Sequence, residues 1–195
     1  MQPASNQAFK EWAIACEAMK EGRQILLIRK GGIREEGGVF TVQHREFFLM
    51  PTYEHQNARL LQTEWVLRLE ALQAQPRDPN HVLIDTCAVV DTVLIARDEE
   101  QVNAALGETI WNARYVRERF NFNPYDPLYL LVLRVYNLPQ TFTLPVLPEY
   151  TGCRSWVTLS QTLPTEGATP AIPDAEFALR RAALLNLLGA PGNAP

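Results

Sequence analysis

Lysine is almost absent from this 195-residue sequence. Lys10, Lys20 and Lys30 are its only three, so fifteen of the 18 basic residues are arginine. The absence of lysine beyond Lys30 disfavours a lysine-assisted nuclease centre placed later in the chain. Cysteine is as sparse: Cys16, Cys87 and Cys153 are odd in number, scattered and free of any CxxC spacing. A disulfide framework or zinc ribbon is not expected, and reduced thiols of a cytoplasmic protein are. No apolar run approaches the roughly 20 residues of a membrane span, so no membrane partner is expected. Residues 1–10 lack the charged start and apolar stretch of a signal peptide. No glycine-rich dinucleotide or nucleoside-triphosphate loop is present, nor HExxH, and no cofactor is implied.

What is present is ordinary for a folded domain. The mass is 22.1 kDa, hydrophobic residues make up 47% and charged residues 21%. One domain over residues 1–188 with a mobile tail over 189–195 is expected. The net charge of −4 and pI near 5.4 argue against a global attraction to nucleic acid, so any such affinity must be local. The arginine excess suits phosphate or carboxylate recognition, and equally fits a codon bias toward arginine.

The hydrophobic spacing predicts a helix over residues 6–21, with Phe9, Trp12, Ala13, Cys16 and Met19 on one face and Gly22 ending it. A strand over 24–30 follows. Residues 33–36, between Gly31-Gly32 and Gly37-Gly38, form a hairpin-like excursion that returns through 40–42. Residues 47–50 read as a strand stopped by Pro51, and 56–72 as a helix. Residues 81–97 read as one long strand, and Asp98 caps a short helix reaching residue 106. A basic helix is expected over 110–120, a strand over 128–138 and an edge strand over 141–146. Residues 148–159 read as irregular and 176–188 as a final helix. Helices and strands mix without regular βα alternation. The fold class is therefore α+β, with a small mixed, mostly antiparallel or partly closed sheet and flanking helices.

Several residues carry possible chemistry. His44, Glu46, Glu54 and His55 offer nitrogen and oxygen ligands at the exits of a buried strand, but at no recognised metal spacing. Their alternative role is to satisfy backbone groups or line a polar pocket. Arg29 and Lys30 precede two glycines, as a phosphate contact or as a plain strand exit. Arg114, Arg117 and Arg119 alternate with Trp111, Tyr115 and Phe120, which suits a nucleobase and its phosphate, or simply a solvated basic helix face. Cys153, in Gly152-Cys153-Arg154-Ser155-Trp156, would need a histidine base brought to it before it could act as a nucleophile.

The stretches Ala8-Phe9-Lys10-Glu11-Trp12-Ala13, Arg29-Lys30-Gly31-Gly32-Ile33, residues 47–56, Leu133-Arg134-Val135-Tyr136 and Gly152-Cys153-Arg154-Ser155-Trp156 together resemble the bacterial domain-of-unknown-function family eighteen-zero-two. Some members of that family are found with a restriction-endonuclease-type domain, so the resemblance implies a restriction-system protein as partner. A helix, then Gly22-Arg23-Gln24, then a strand ending in Arg29 is also similar to the opening of PUA-like domains of the ASCH group. Those are partly closed β-barrels with flanking helices, and many bind RNA or modified bases. Places where ASCH members carry a lysine and a glutamate hold Gln24 and Leu27 or nearby apolar residues here. The expectation is a nucleic-acid or modified-base binding module with a site built from Arg29, Lys30, His44, Tyr53, His55, Gln56 and Trp156. A metal-assisted hydrolase or nuclease using His44, Glu46 and His55 is the first alternative. A protein-interaction scaffold is the second.

Overall fold

Consecutive apolar residues in a strand are buried only when both faces of the sheet are covered. Leu26, Leu27 and Ile28, Phe47 to Met50, and Leu128 to Leu133 are all buried in this way in the computed structural model. The structure describes residues 1–30, 33–36, 39–152 and 154–189. In chain order it runs β1 (Ala4–Trp12), α1 (Ala13–Lys20), β2 (Leu26–Lys30), β3 (Ile33–Glu36), β4 (Val39–Val42), β5 (Glu46–Thr52) and α2 (Thr63–Ala74). It continues with β6 (His81–Ile95), α3 (Glu99–Ala104), α4 (Ala113–Asn121), β7 (Leu128–Pro145), β8 (Trp156–Pro164), β9 (Thr169–Pro170) and α5 (Asp174–Leu187).

The main sheet has the order β2-β7-β6-β5-β1-β8, with β9 beside β7, while β3 and β4 form a separate hairpin. Among the described residues, only β1 and β5 run parallel; the other pairings are antiparallel. The protein is thus α+β with a mixed, mostly antiparallel sheet and flanking helices. The sheet is open rather than closed into a barrel: β2 and β8 end the path, and no pairing joins them among the described residues. Among the described residues, no helix is long and apolar enough to cross a membrane.

The period-2 alternation of strands sends neighbouring side chains to opposite faces. Phe9, Phe47, Leu49 and Ala88 join the larger apolar cluster, under α1, α2, α4 and α5. Their neighbours Ala8, Phe48, Met50 and Cys87 join a smaller one with Ile84, Leu144 and Tyr150.

Four local expectations need correction. Residues 6–12 are strand, not helix. The apolar spacing from Phe9 to Met19 is helical, yet only the part from Ala13 onward obeys it. Backbone pairing to β5 on one side and β8 on the other holds residues 4–12 extended, overriding local preference. Pro51 does not stop β5, because the strand pairs with β6 only over Glu46–Phe48 and Pro51 lies beyond, beside Glu11 of β1. The two segments at 128–138 and 141–146 are one strand. Its register against β6 jumps from Asn137↔Thr86 to Phe142↔Ile84, and Pro139 falls in the unpaired stretch where its missing N–H costs nothing. Finally, residues 156–164 form β8 rather than an irregular segment. Asp98 does cap α3, accepting from the Gln101 N–H at 2.8 Å. The glycine pairs at 31–32 and 37–38, Cys153 and the expected tail from residue 190 lie outside the described residues.

Candidate nucleic-acid interface

Glu11 is a buried carboxylate near the C-terminal end of β1. On the period-2 reading it shares the inner face with Phe9, and its side chain is only 3% exposed. A buried charge needs a partner and further hydrogen bonds. Both are present: Oε1 accepts from the Trp12 N–H at 2.7 Å, and Oε2 accepts from the Arg29 guanidinium at 3.1 Å. Arg29 also donates to Ser155 Oγ at 2.5 Å and lies 4.6 Å over the Phe9 ring.

Arg29 belongs to β2, at one end of the strand order; Glu11 and Ser155 belong to β1 and the approach to β8, at the other. The guanidinium therefore clasps together two edges that share no backbone ladder. Behind it, Trp156 meets Phe9, Phe47 and His44 edge-on at 4.9, 5.1 and 5.2 Å.

A cleft of about 190 Å³ opens beside this clasp, at the C-terminal ends of β1 and β5. Arg29, Glu11, Trp12, His55, Arg154 and Ser155 are on its walls. Lys10 pins the loop that carries Arg154, donating from Nζ to the Tyr150 and Gly152 carbonyls at 2.8 and 2.6 Å. The Lys10 N–H adds a bond to the Ser155 carbonyl at 2.7 Å. Arg154 itself is exposed. His55 takes a left-handed backbone conformation, φ 59°, which is uncommon for a residue with a side chain and turns the chain sharply after β5.

Of the expected site residues, only Arg29 and His55 line this cleft. Trp156 and His44 form its backing, and burial holds the His44 imidazole below the usual histidine range. Gln56 is spent on structure: its Oε1 accepts from the Ile14 N–H at 3.1 Å at the start of α1. Lys30 ties down a turn through the Asn123 and Asp126 carbonyls at 3.2 and 2.6 Å. Tyr53 lies in the neighbouring clefts with the Arg77 guanidinium 4.1 Å over its ring. Burial is the main influence raising its hydroxyl pKa, with Arg77 opposing.

Other sequence candidates do not assemble. Glu46 accepts from the Gln2 N–H and faces the N-terminal amine. It forms no metal-binding group with His44 and His55 among the described residues. Trp111 and Tyr115 stack on each other inside the core at 4.0 Å, while Arg114 and Arg117 pair with Glu118 and Glu99. That helix is an amphipathic support rather than a stacking platform. Burial raises the Cys16 thiol well above its usual value and pushes Cys87 up to about 12, which disfavours the reactive thiolate at both.

Glu11, Ser155, Arg154 and Lys10 were not singled out from the sequence. Glu11 carried a usable signal: an acid flanked by Phe9, Trp12 and Ala13 demands a buried cation once the segment is read as a strand.

These features define an α+β protein whose open sheet is clasped across its edges by a buried ion pair beside a polar cleft. The chain matches the model of a family described as Domain of unknown function (DUF1802) over residues 8–183, and it belongs to that family. No curated protein matches it significantly. Among solved structures, the chain is similar to ASCH from Zymomonas mobilis, at 9% identity and TM-score 0.42, covering 91% of this chain and 94% of that one. A tyrosine-to-phenylalanine mutant of that protein gives 10% identity and TM-score 0.44, covering 80% and 90%. At these scores the likeness says nothing about what this chain binds.

Proposed function

We propose that the Arg29 cleft binds a nucleotide unit of a nucleic acid, plain or base-modified, and that the protein is a binding module. The observation that carries this reading is the posture of Arg29. Its guanidinium is held from behind by Glu11 and Ser155 and flattened on Phe9, yet the side chain remains 18% exposed. A guanidinium has five N–H donors, and the two bonds behind it leave others for an anion. The fixed fork loses little freedom on meeting a phosphate. Exposed Arg154 adds a second cation at the rim, and Trp12 supplies an aromatic wall. The negative overall charge keeps the affinity local to this patch. The restriction–modification setting is implied by the family resemblance alone, and it makes base-modified DNA the first ligand to try.

The test is fluorescence binding with labelled single- and double-stranded DNA and RNA, plain and base-modified, at low and high salt. Wild type should bind at least one probe, and affinity should fall with salt as phosphate contacts release counterions. Arg154→Ala, on the surface, should weaken binding on the order of tenfold, as one charge-assisted contact of about 1.5–3 kcal/mol allows. Absence of binding to every probe at low salt overturns the reading. A second reading, a partner-binding scaffold, is supported by Leu179 and Leu187, 73% and 52% exposed on α5.

A further inference from the structure

The Arg29 cleft does not end at its own walls. It shares Lys10, Thr52 and Glu54 with a second cleft of about 210 Å³, which in turn shares Tyr53, Arg77 and Asp78 with a third of about 330 Å³. The three adjoin along the outer edge of residues 52–55. Two of them fall below the roughly 300 Å³ at which a pocket takes a whole drug-sized ligand. Separately they account for little; a ligand made of linked units that steps from one to the next fills them together.

The junction of the second and third clefts is an aromatic ring capped by a cation. The Arg77 guanidinium lies 4.1 Å over Tyr53, and Arg77 is exposed. A planar guanidinium resting on a ring presents its other face as a platform for a base, and its N–H edge to a phosphate. The nearby acid, Asp78, is turned toward its own segment. Asp78 accepts from the Asn80 N–H at 2.9 Å and meets His81 Nδ1 at 2.6 Å, so both its oxygens are engaged in its own turn.

We infer that Tyr53 and Arg77 form a second, base-stacking subsite, and that the ligand is a single strand of several linked nucleotides running from Arg29 to Arg77. This rests on the nucleotide-binding reading of the Arg29 cleft. A duplex cannot present splayed bases to such a platform, so single strands are preferred.

Equilibrium binding of labelled thymidine 5′-monophosphate, and of oligo-dT and oligo-U two and four nucleotides long, separates the two ideas. In the wild type, affinity should rise roughly tenfold or more from one nucleotide to four, as one stacked base brings. Arg77→Ala should abolish that rise and leave the mononucleotide unchanged. Tyr53→Phe, which keeps the ring, should retain it. Equal affinity for one and four nucleotides, or an Arg77→Ala protein with the wild-type length dependence, overturns the second subsite and leaves the first standing. No binding of any of these probes or of longer plain or modified strands overturns both.

Discussion

Arg29 and Arg134 are two arginines on paired strands, β2 and β7, each laid on a phenylalanine ring and each bound to a carboxylate. Their environments are inverted. At Arg29 the acid is the buried member, with Glu11 3% exposed and the arginine 18%. At Arg134 the cation is the buried member, 9% exposed, and its partner Asp174 is 93% exposed at the start of α5. Arg134 is also enclosed by Tyr136, and one of its nitrogens is buried without a partner. One pair offers a cation to an open cleft, while the other packs its cation away. The same side chain thus faces a cleft in one place and holds a helix in the other, and the depth of the carboxylate decides which.

The largest effect that follows is at Arg29. Arg29→Met leaves Glu11 buried without its cation, and urea unfolding should show a loss of about 3–5 kcal/mol. Adding Glu11→Gln to that variant should recover much of the loss. A cost below about 1 kcal/mol for Arg29→Met alone would break the comparison. The same substitution at Arg134 should cost only about 1–2 kcal/mol. Methionine keeps most of the volume against Phe177 and Tyr136, and Asp174 stays in water. Equal losses at the two sites would mean that the burial of the acid does not govern the outcome.

The smallest effect sharpens the picture behind the clasp. Burial depresses the His44 pKa, so the unfolded chain takes up its proton first as pH falls. Stability from this group is complete above the unfolded value of about 6.5 and is lost as pH drops through that value toward the lower folded one. Urea midpoints measured from pH 8 to pH 5 should decline, and His44→Gln should flatten part of that decline. An unchanged pH profile in His44→Gln would place the titration elsewhere.

Much of the secondary structure was legible because it rests on local signals. The richness of β6 in Val, Ile, Thr and Leu, the Asp98 cap and the glycine-bracketed hairpin need no distant partner to be recognised. Residues 6–12 misled because Phe9, Trp12 and Ala13 satisfy a helical period. Only the ladders to β5 and β8, whose partners lie about forty and a hundred and fifty residues away, make them a strand. The same error hid Glu11, since an acid on a helix surface asks for nothing. The bonds that Gln56 and Lys30 make within the fold were hidden for a related reason. A polar side chain looks available until the backbone group it serves comes into view, here the Ile14 N–H and the carbonyls of Asn123 and Asp126.

By itself the sequence determined the α+β class, most element positions, the family and the arginine-rich chemistry, because periodicity, capping and composition act over a few residues at a time. The tertiary structure alone decided which arginines face a cleft and which are enclosed. That depends on where the curl of an open sheet brings β1, β2 and the approach to β8 together, and on how deeply each carboxylate is buried when they meet.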